Sequence, residues 1–273
     1  MVQEIFKRTN ESYLEICQWI EHNKRLKVGF TTKNGGVSEH PYETLNLGLH
    51  VNDKNENVIN NRHHLAQELK VPLNHWVCGE QVHDIKIKHV TKADRNKGTE
   101  SVQSALGEID GLIATESNIL CTAFFADCVP LFFYDKRLNI VGIAHAGWKG
   151  TVKEIGAQMV KSFVQLGSQM EDLFVAIGPC ISKMNYEVND HVIKHIDENF
   201  VSKVVTDKGE GKYLLDLKQL NVEILLQNGV MRNNIDITTY CTYEHEQLFY
   251  SYRRDNGKTG RMLAFIGIVD ELK

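Results

Sequence analysis

The run Asn139-Ile140-Val141-Gly142-Ile143-Ala144-His145-Ala146-Gly147-Trp148-Lys149-Gly150-Thr151 holds the change of structure around which this chain is organised. Its first six residues read as a buried strand, because a short apolar run rich in β-branched side chains suits a strand covered on both faces. Glycines then break the run. Beyond them apolar residues return at helical spacing, at Val152, Ile155, Met159, Val160, Phe163 and Leu166, closed by Gly167. Strand, Gly-rich turn and helix start together leave free backbone N–H groups where an anion can sit. Lys149 adds a charge there, and Thr151 is the N-cap candidate. The glycine spacing fits neither a Walker nor a dinucleotide fingerprint.

Outward from this run, β-rich stretches predict strands at residues 27–32, 75–83, 85–90, 110–115, 120–127, 139–145, 173–177, 235–242, 248–253 and 262–268. Further helices are predicted at 54–69 and around Leu217, Leu220, Ile224 and Leu225, before Gly229. Residues 90–106 read as an exposed loop. No repeat, low-complexity tract or Pro/Ser-rich linker divides the chain. The expected architecture is therefore α+β, one domain over residues 1–273 with mixed β-sheets sandwiched by helices.

Composition excludes several classes of function. With 273 residues, 42% hydrophobic and 24% charged, the chain can bury a substantial core. A net charge of −4 provides no field for nucleic acid or anionic lipid. The longest apolar run, residues 119–134, is interrupted by Asp127 and Pro130 and is too short to span a bilayer. The N-terminus lacks the apolar stretch of a signal peptide, and the six cysteines are scattered with no Cys-x-x-Cys pair. That pattern predicts reduced thiols and a cytoplasmic location.

Three residues carry metal-ligand chemistry at the ends of strand-like runs: His83, Cys128 and His145, spaced 45 and 17 positions apart. Two imidazoles and a thiolate suit zinc, with a fourth position left for water or substrate. Spacing alone does not bring them together, and a buried cysteine is ordinarily an inert small hydrophobe. Arg62 is an anomaly of a different kind. Val58, Arg62, Leu65 and Leu69 fall at i, i+4, i+7 and i+11, which places a guanidinium on an apolar stripe. Two readings stay open: an anion-binding arginine, or one that braces a loop or snorkels to water.

Taken in order, these pieces and their neighbours resemble the YfiH/YlmD family, labelled polyphenol oxidases or laccase-domain proteins and also recognised as purine nucleoside enzymes. The matching stretches run from residue 31 to residue 261. They are Thr31-Thr32-Lys33-Asn34-Gly35-Gly36-Val37-Ser38, Leu45-Asn46-Leu47-Gly48, Asn61-Arg62, Gln81-Val82-His83 and Asp110-Gly111-Leu112. They continue with Ala126-Asp127-Cys128-Val129-Pro130, His145-Ala146-Gly147-Trp148-Lys149-Gly150, Ile177-Gly178-Pro179-Cys180-Ile181, Ser251-Tyr252-Arg253-Arg254-Asp255 and Thr259-Gly260-Arg261. The resemblance implies a toxin deamidase-related fold and a metal site at His83, Cys128 and His145. It implies phosphorolysis of adenosine, inosine, guanosine and methylthioadenosine, with hydrolytic deamination of adenosine. Arg62, Asn46, Lys149 and the group Arg253, Arg254 and Arg261 become candidate site residues, with Arg62, Lys149, Asn46 and Arg261 candidates for binding purine nucleoside or phosphate.

Rival readings use the same residues. A copper-dependent polyphenol oxidase with a four-copper centre would need many histidines, usually in His-x-His pairs, and the chain has none. Copper at a His/Cys site is still easy on intrinsic affinity. A cysteine hydrolase would use Cys128 as nucleophile and His83 or His145 as base. Asp127 adjoins Cys128 and is read as a turn-forming carboxylate rather than a proton carrier.

Overall fold

The computed structural model describes residues 4–270; residues 1–3, part of the stretch read above as lacking a signal, lie outside them, as do residues 271–273. Among the described residues the first strands are β1 (Phe6–Arg8), β2 (Tyr13–Ile16), β3 (Leu26–Thr31), β4 (Trp76–Cys78), β5 (Ile87–Val90) and β6 (Gly111–Ala114). The central ones follow as β7 (Leu120–Phe125), β8 (Val129–Asp135), β9 (Ile140–Ala146) and β10 (Leu173–Ile177). The last are β11 (Glu187–Asn189), β12 (Val205–Gly209), β13 (Lys212–Leu215), β14 (Ile235–Ile237) and β15 (Met262–Ile268). Helices are α1 (Cys17–His22), α2 (Asn55–Leu69), α3 (Trp148–Val152), α4 (Ile155–Gln165), α5 (Asp190–Ile193), α6 (Glu198–Val204) and α7 (Leu217–Gln227).

The strands form two six-stranded mixed sheets, ordered β1-β2-β3-β15-β7-β4 and β14-β10-β8-β9-β6-β5, with a small antiparallel sheet β11-β13-β12 beside them. The pattern of β8 shows how they stack. Phe132 and Tyr134 face the first sheet and share a core with Phe30, Phe125 and Ala264. Leu131 and Phe133 point the other way, onto Ile155, Met159 and Phe163 of α4 and Leu220 and Ile224 of α7. On the far side of the first sheet, Phe124, Leu263 and Phe265 pack under Leu65 and Leu69 of α2. Helix, sheet, sheet and helix thus form the layers, the predicted α+β arrangement. Strands covered on both faces read as unbroken apolar runs, which is the signal carried by residues 139–144.

Several boundaries differ from expectation for local physical reasons. β8 is missing from the sequence reading because Pro130 interrupts its apolar run. The proline sits at the strand's second residue, where the missing N–H does no harm, and its carbonyl accepts from Gly178 N. The predicted helix after residue 151 is two helices, α3 and α4, parted where Glu154 takes a left-handed φ of 63°. Gly147, not Thr151, is the N-cap. Thr151 lies inside α3, donating to Ala146 O and accepting from Asn221 Nδ2. Residues 248–253 form turns rather than a strand, and the strand predicted at 235–242 ends at Ile237.

Arg62 resolves in favour of bracing. It is 1% exposed, and its Nε and Nη2 both donate to Leu47 O while Nη1 donates to Gly98 O and Thr99 O. Its guanidinium lies 4.7 Å from the Phe124 ring centre. Three carbonyls from two loops meet the buried charge, as burial of a guanidinium requires.

Candidate metal centre and cleft

β8 and β9 pair Pro130 with His145, and β6 and β9 pair Gly111 with Ala144. This register puts the β7–β8 turn, the end of β9 and the start of β6 at one end of the sandwich. Asp110, immediately before β6, is buried there and organises both histidines. Its Oδ1 accepts from His83 N and faces His145 Nδ1 at 2.8 Å, and its Oδ2 accepts from Val82 N and Asp84 N. His145 N also donates to Asp110 O. Burial would raise the Asp110 carboxyl, but His145 and the backbone donors outweigh it and hold the group below its ordinary range. Three converging amides likewise hold His83 in the left-handed region, at φ 62°, a conformation that disfavours a side chain.

His83, Cys128 and His145 converge. Their ligand atoms all lie within 4.8 Å of one another, with Cys128 Sγ 4.0 Å from His83 Nε2. Among the described residues they are the only group of three or more such side chains close enough to hold a metal ion. A tetrahedral zinc needs such donors roughly 3.3–3.7 Å apart, so a closure of about 1.5 Å or less suffices. With Nδ1 of His145 turned to Asp110, Nε2 faces the group, the arrangement that fixes a metal-binding imidazole. Burial would raise the Cys128 thiol, yet His145 and His83 pull it down to about 6, favouring thiolate. Gly147 keeps the space clear: a Cβ there would come 2.9 Å from His83 Cδ2 and 3.1 Å from Cys128 Sγ.

The group opens into a cleft of about 690 Å³ that is also lined by His50, Glu80, Trp148, Lys149, Tyr186, Tyr252, Arg253 and Arg261. Of the residues suggested by the sequence, Lys149 lines it from an exposed position and Arg261 from a half-buried one. Arg62 touches it with most of its donors already committed. Asn46 is not among the lining residues. It is fully buried, and its Oδ1 accepts from Gly48 N and Arg261 N. Arg254 locks a loop through Thr242 O, Tyr243 O and Phe249 O, whereas Arg253 extends over the Tyr186 ring. Asp127, at φ 87°, anchors that same loop by accepting from Thr242 Oγ1, Ser251 Oγ and Arg253 N.

Sequence reasoning did not find the organising role of Asp110, nor His50, Glu80 or Tyr186. Asp110 heads an ordinary strand, and its partners come from segments about 30 residues away on either side. The predicted loop at 90–106 does reach the cleft, through Gly98, Val102 and Ala105. Among the described residues no helix is long and apolar enough to cross a membrane.

Comparison with known proteins adds three findings. The family described as multi-copper polyphenol oxidoreductase laccase matches residues 27–269. Purine nucleoside phosphorylase YlmD of Bacillus subtilis is 45% identical over 269 residues, covering 96% of this chain and 97% of its own. Among solved structures, Bacillus licheniformis hypothetical protein YfiH is similar at 42% identity and a TM-score of 0.92, over 96% of this chain and 98% of its own. YlmD from Geobacillus stearothermophilus is similar at 39% identity and a TM-score of 0.92, over 98% of this chain and 100% of its own.

Proposed function

This chain belongs to the multi-copper polyphenol oxidoreductase laccase family, the YfiH/YlmD group its motifs resemble, and from that premise we propose that it is a purine nucleoside phosphorylase. Its substrates are adenosine, inosine, guanosine and methylthioadenosine with inorganic phosphate, and it also deaminates adenosine. Residues 1–273 act as one cytoplasmic catalytic unit. His83, Cys128 and His145 hold zinc, which when bound supplies Lewis-acid chemistry to the substrate.

The observation that carries the reading is the convergence of two imidazoles and a thiol at a cleft large enough for a nucleoside and phosphate together. In phosphorolysis a phosphate oxygen bonds to C1′ of the ribose while the C1′–N9 bond breaks, and the purine leaves with the electron pair and takes up a proton. The protein's part is to hold the anion under C1′, orient the base and exclude water. Trp148 and Tyr186 provide aromatic surface for the purine, and Arg261 provides charge for phosphate. A multi-copper centre has no counterpart among the described residues, where one three-ligand group is present.

A second reading is favoured by the lowered Cys128 thiol, a nucleophile beside the His145 imidazole. Product analysis separates the possibilities. Adenosine and inosine are incubated with and without phosphate, using wild type, metal-stripped protein and Cys128→Ala. Phosphate-dependent free base and ribose 1-phosphate mark phosphorolysis, and inosine from adenosine marks deamination. Both are expected to fall by about 10³-fold or more in Cys128→Ala and after complete metal removal. Activity that survives metal removal but not alkylation of Cys128 would establish the thiol mechanism instead.

A further inference from the structure

Several polar groups on the cleft wall have their hydrogen bonds committed inside the protein. Gln81 is held at both ends of its amide by the Phe124 backbone, Asp127 by three donors, and Arg62 by three carbonyls. His50 and Arg261 keep donors uncommitted, as does Arg253, which gives only Nη1, to Glu187 O. Neither ring nitrogen of His50 has a hydrogen-bond partner among the described residues, and its ring packs against Phe124 at 5.9 Å. Arg261 gives only Nη1 to protein, to Thr259 O and Gly260 O. Its Nε and Nη2 have no partner among the described residues. A fork of N–H donors left over on the wall of a cleft is suited to an oxyanion.

The two side chains are also built as a pair. Both crowd the bare face of Gly48, where a Cβ would come 2.8 Å from Arg261 Cγ and 3.2 Å from His50 Cε1. Gly48 N and Arg261 N share Asn46 Oδ1, and Leu47 N donates to Arg261 O. Asn46 therefore fixes the backbone under both residues at once, which accounts for a fully buried amide next to a site it does not touch. His50 is exposed on the cleft wall, and the desolvation it does undergo there, with the positive field of Arg261 and Arg62, holds its imidazole below its usual range. Arg261 lies close enough to Cys128 to feel its charge, so the pair borders the candidate metal centre.

Resting on the phosphorylase reading, we propose that His50 and Arg261 form the subsite for inorganic phosphate, with Asn46 and Gly48 as positioning residues and Arg62 outside it. Arg261 supplies the charge and a two-pronged contact, and His50 supplies a further donor. Lys149, carried on α3 with its Nζ 5.8 Å from the Trp148 ring centre, is not part of the proposed subsite.

Two measurements on the metal-loaded protein test this: calorimetric titration with inorganic phosphate, and steady-state kinetics with phosphate and inosine varied separately. His50→Ala is expected to weaken phosphate and raise its KM by about 10-fold or more, as loss of a hydrogen bond to a charged group does, with the KM for inosine within about twofold. His50→Gln, which retains an N–H donor, recovers part of the loss, a rescue that a packing role would not show. Gly48→Ala displaces both side chains without removing a donor and weakens phosphate in the same direction. Lys149→Ala leaves phosphate within about twofold. The proposal is overturned if His50→Ala moves the inosine KM instead, if Lys149→Ala weakens phosphate more than His50→Ala, or if wild type binds no phosphate with or without nucleoside. Failure of the phosphorylase reading looks different: phosphate still binds wild type and is lost in His50→Ala, but no ribose 1-phosphate forms.

Discussion

Two buried aspartates flank the cleft, and their partners differ in a way that separates chemistry from architecture. Asp110 takes three backbone amides and the imidazole of His145, so its bonds end on two of the three candidate ligands. Asp127 takes two hydroxyls and one amide, and its bonds end on the loop that carries Arg253 and on Thr242. Both sit at the same end of the sandwich, Asp110 before β6 and Asp127 in the β7–β8 turn. The Asp110 partners are fixed in direction, because a backbone N–H only donates. Two of the three Asp127 partners are hydroxyls that can turn and accept. Burial alone would rank the two carboxylates as equals; the direction of their partners does not.

Asp110→Asn carries the largest expected effect. Either orientation of the new amide sets its NH2 against donors: Val82 N and Asp84 N on one side, His83 N and His145 Nδ1 on the other. The cost is about 3 kcal/mol in stability, read from denaturant unfolding, because buried donors lose their acceptor. Metal affinity, read by competition with a chelator, is expected to fall roughly 10- to 100-fold. Unchanged metal affinity in a folded Asp110→Asn protein would remove Asp110 from the site and leave it a loop anchor like Asp127.

Thr242→Val comes next. Thr242 is fully buried, and its hydroxyl is the sole side-chain donor to Asp127 Oδ1 among the described residues. Valine keeps the shape and removes the hydrogen bond, which leaves a buried carboxylate oxygen unmet at a cost of about 2 kcal/mol. Metal affinity stays within about threefold, since no bond of Thr242 reaches a ligand. A metal affinity that falls with stability would mean the two aspartates act on one centre.

How much of this was legible follows from which residues advertise themselves. His83, Cys128 and His145 stand out because imidazole and thiol groups at strand ends have few other uses. Arg62 stands out because a charge interrupts an apolar stripe. Asp110 does not, because a carboxylate before a strand is commonplace and its significance lies in amides contributed by Val82, His83 and Asp84. His50 is equally silent, one of 12 histidines, and only the shared Gly48 surface reveals its pairing with Arg261. Layering was readable from the two-sided apolar strands around Ile140–Ala146. Residues 248–253 misled because Phe249, Tyr250 and Tyr252 have strand-like composition, while the backbone turns there to bring Ser251 Oγ and Arg253 N to Asp127.

Asp127→Asn is expected to perturb least, although it alters the carboxylate itself. With its amide nitrogen in the Oδ1 position, the asparagine can donate to Thr242 Oγ1, which only has to rotate its hydroxyl. The oxygen in the Oδ2 position goes on accepting from Ser251 Oγ and Arg253 N. Every partner is then satisfied, and what is lost is the charge assistance, about 1 kcal/mol. Asp127→Asn should therefore unfold at higher denaturant than Thr242→Val, even though both act on one hydrogen bond. The double variant should be no better than Thr242→Val alone, because valine has no lone pair for the new amide to meet. The reverse order of the two single variants would show that the charge of Asp127, and not the reversibility of its partners, sets it apart from Asp110.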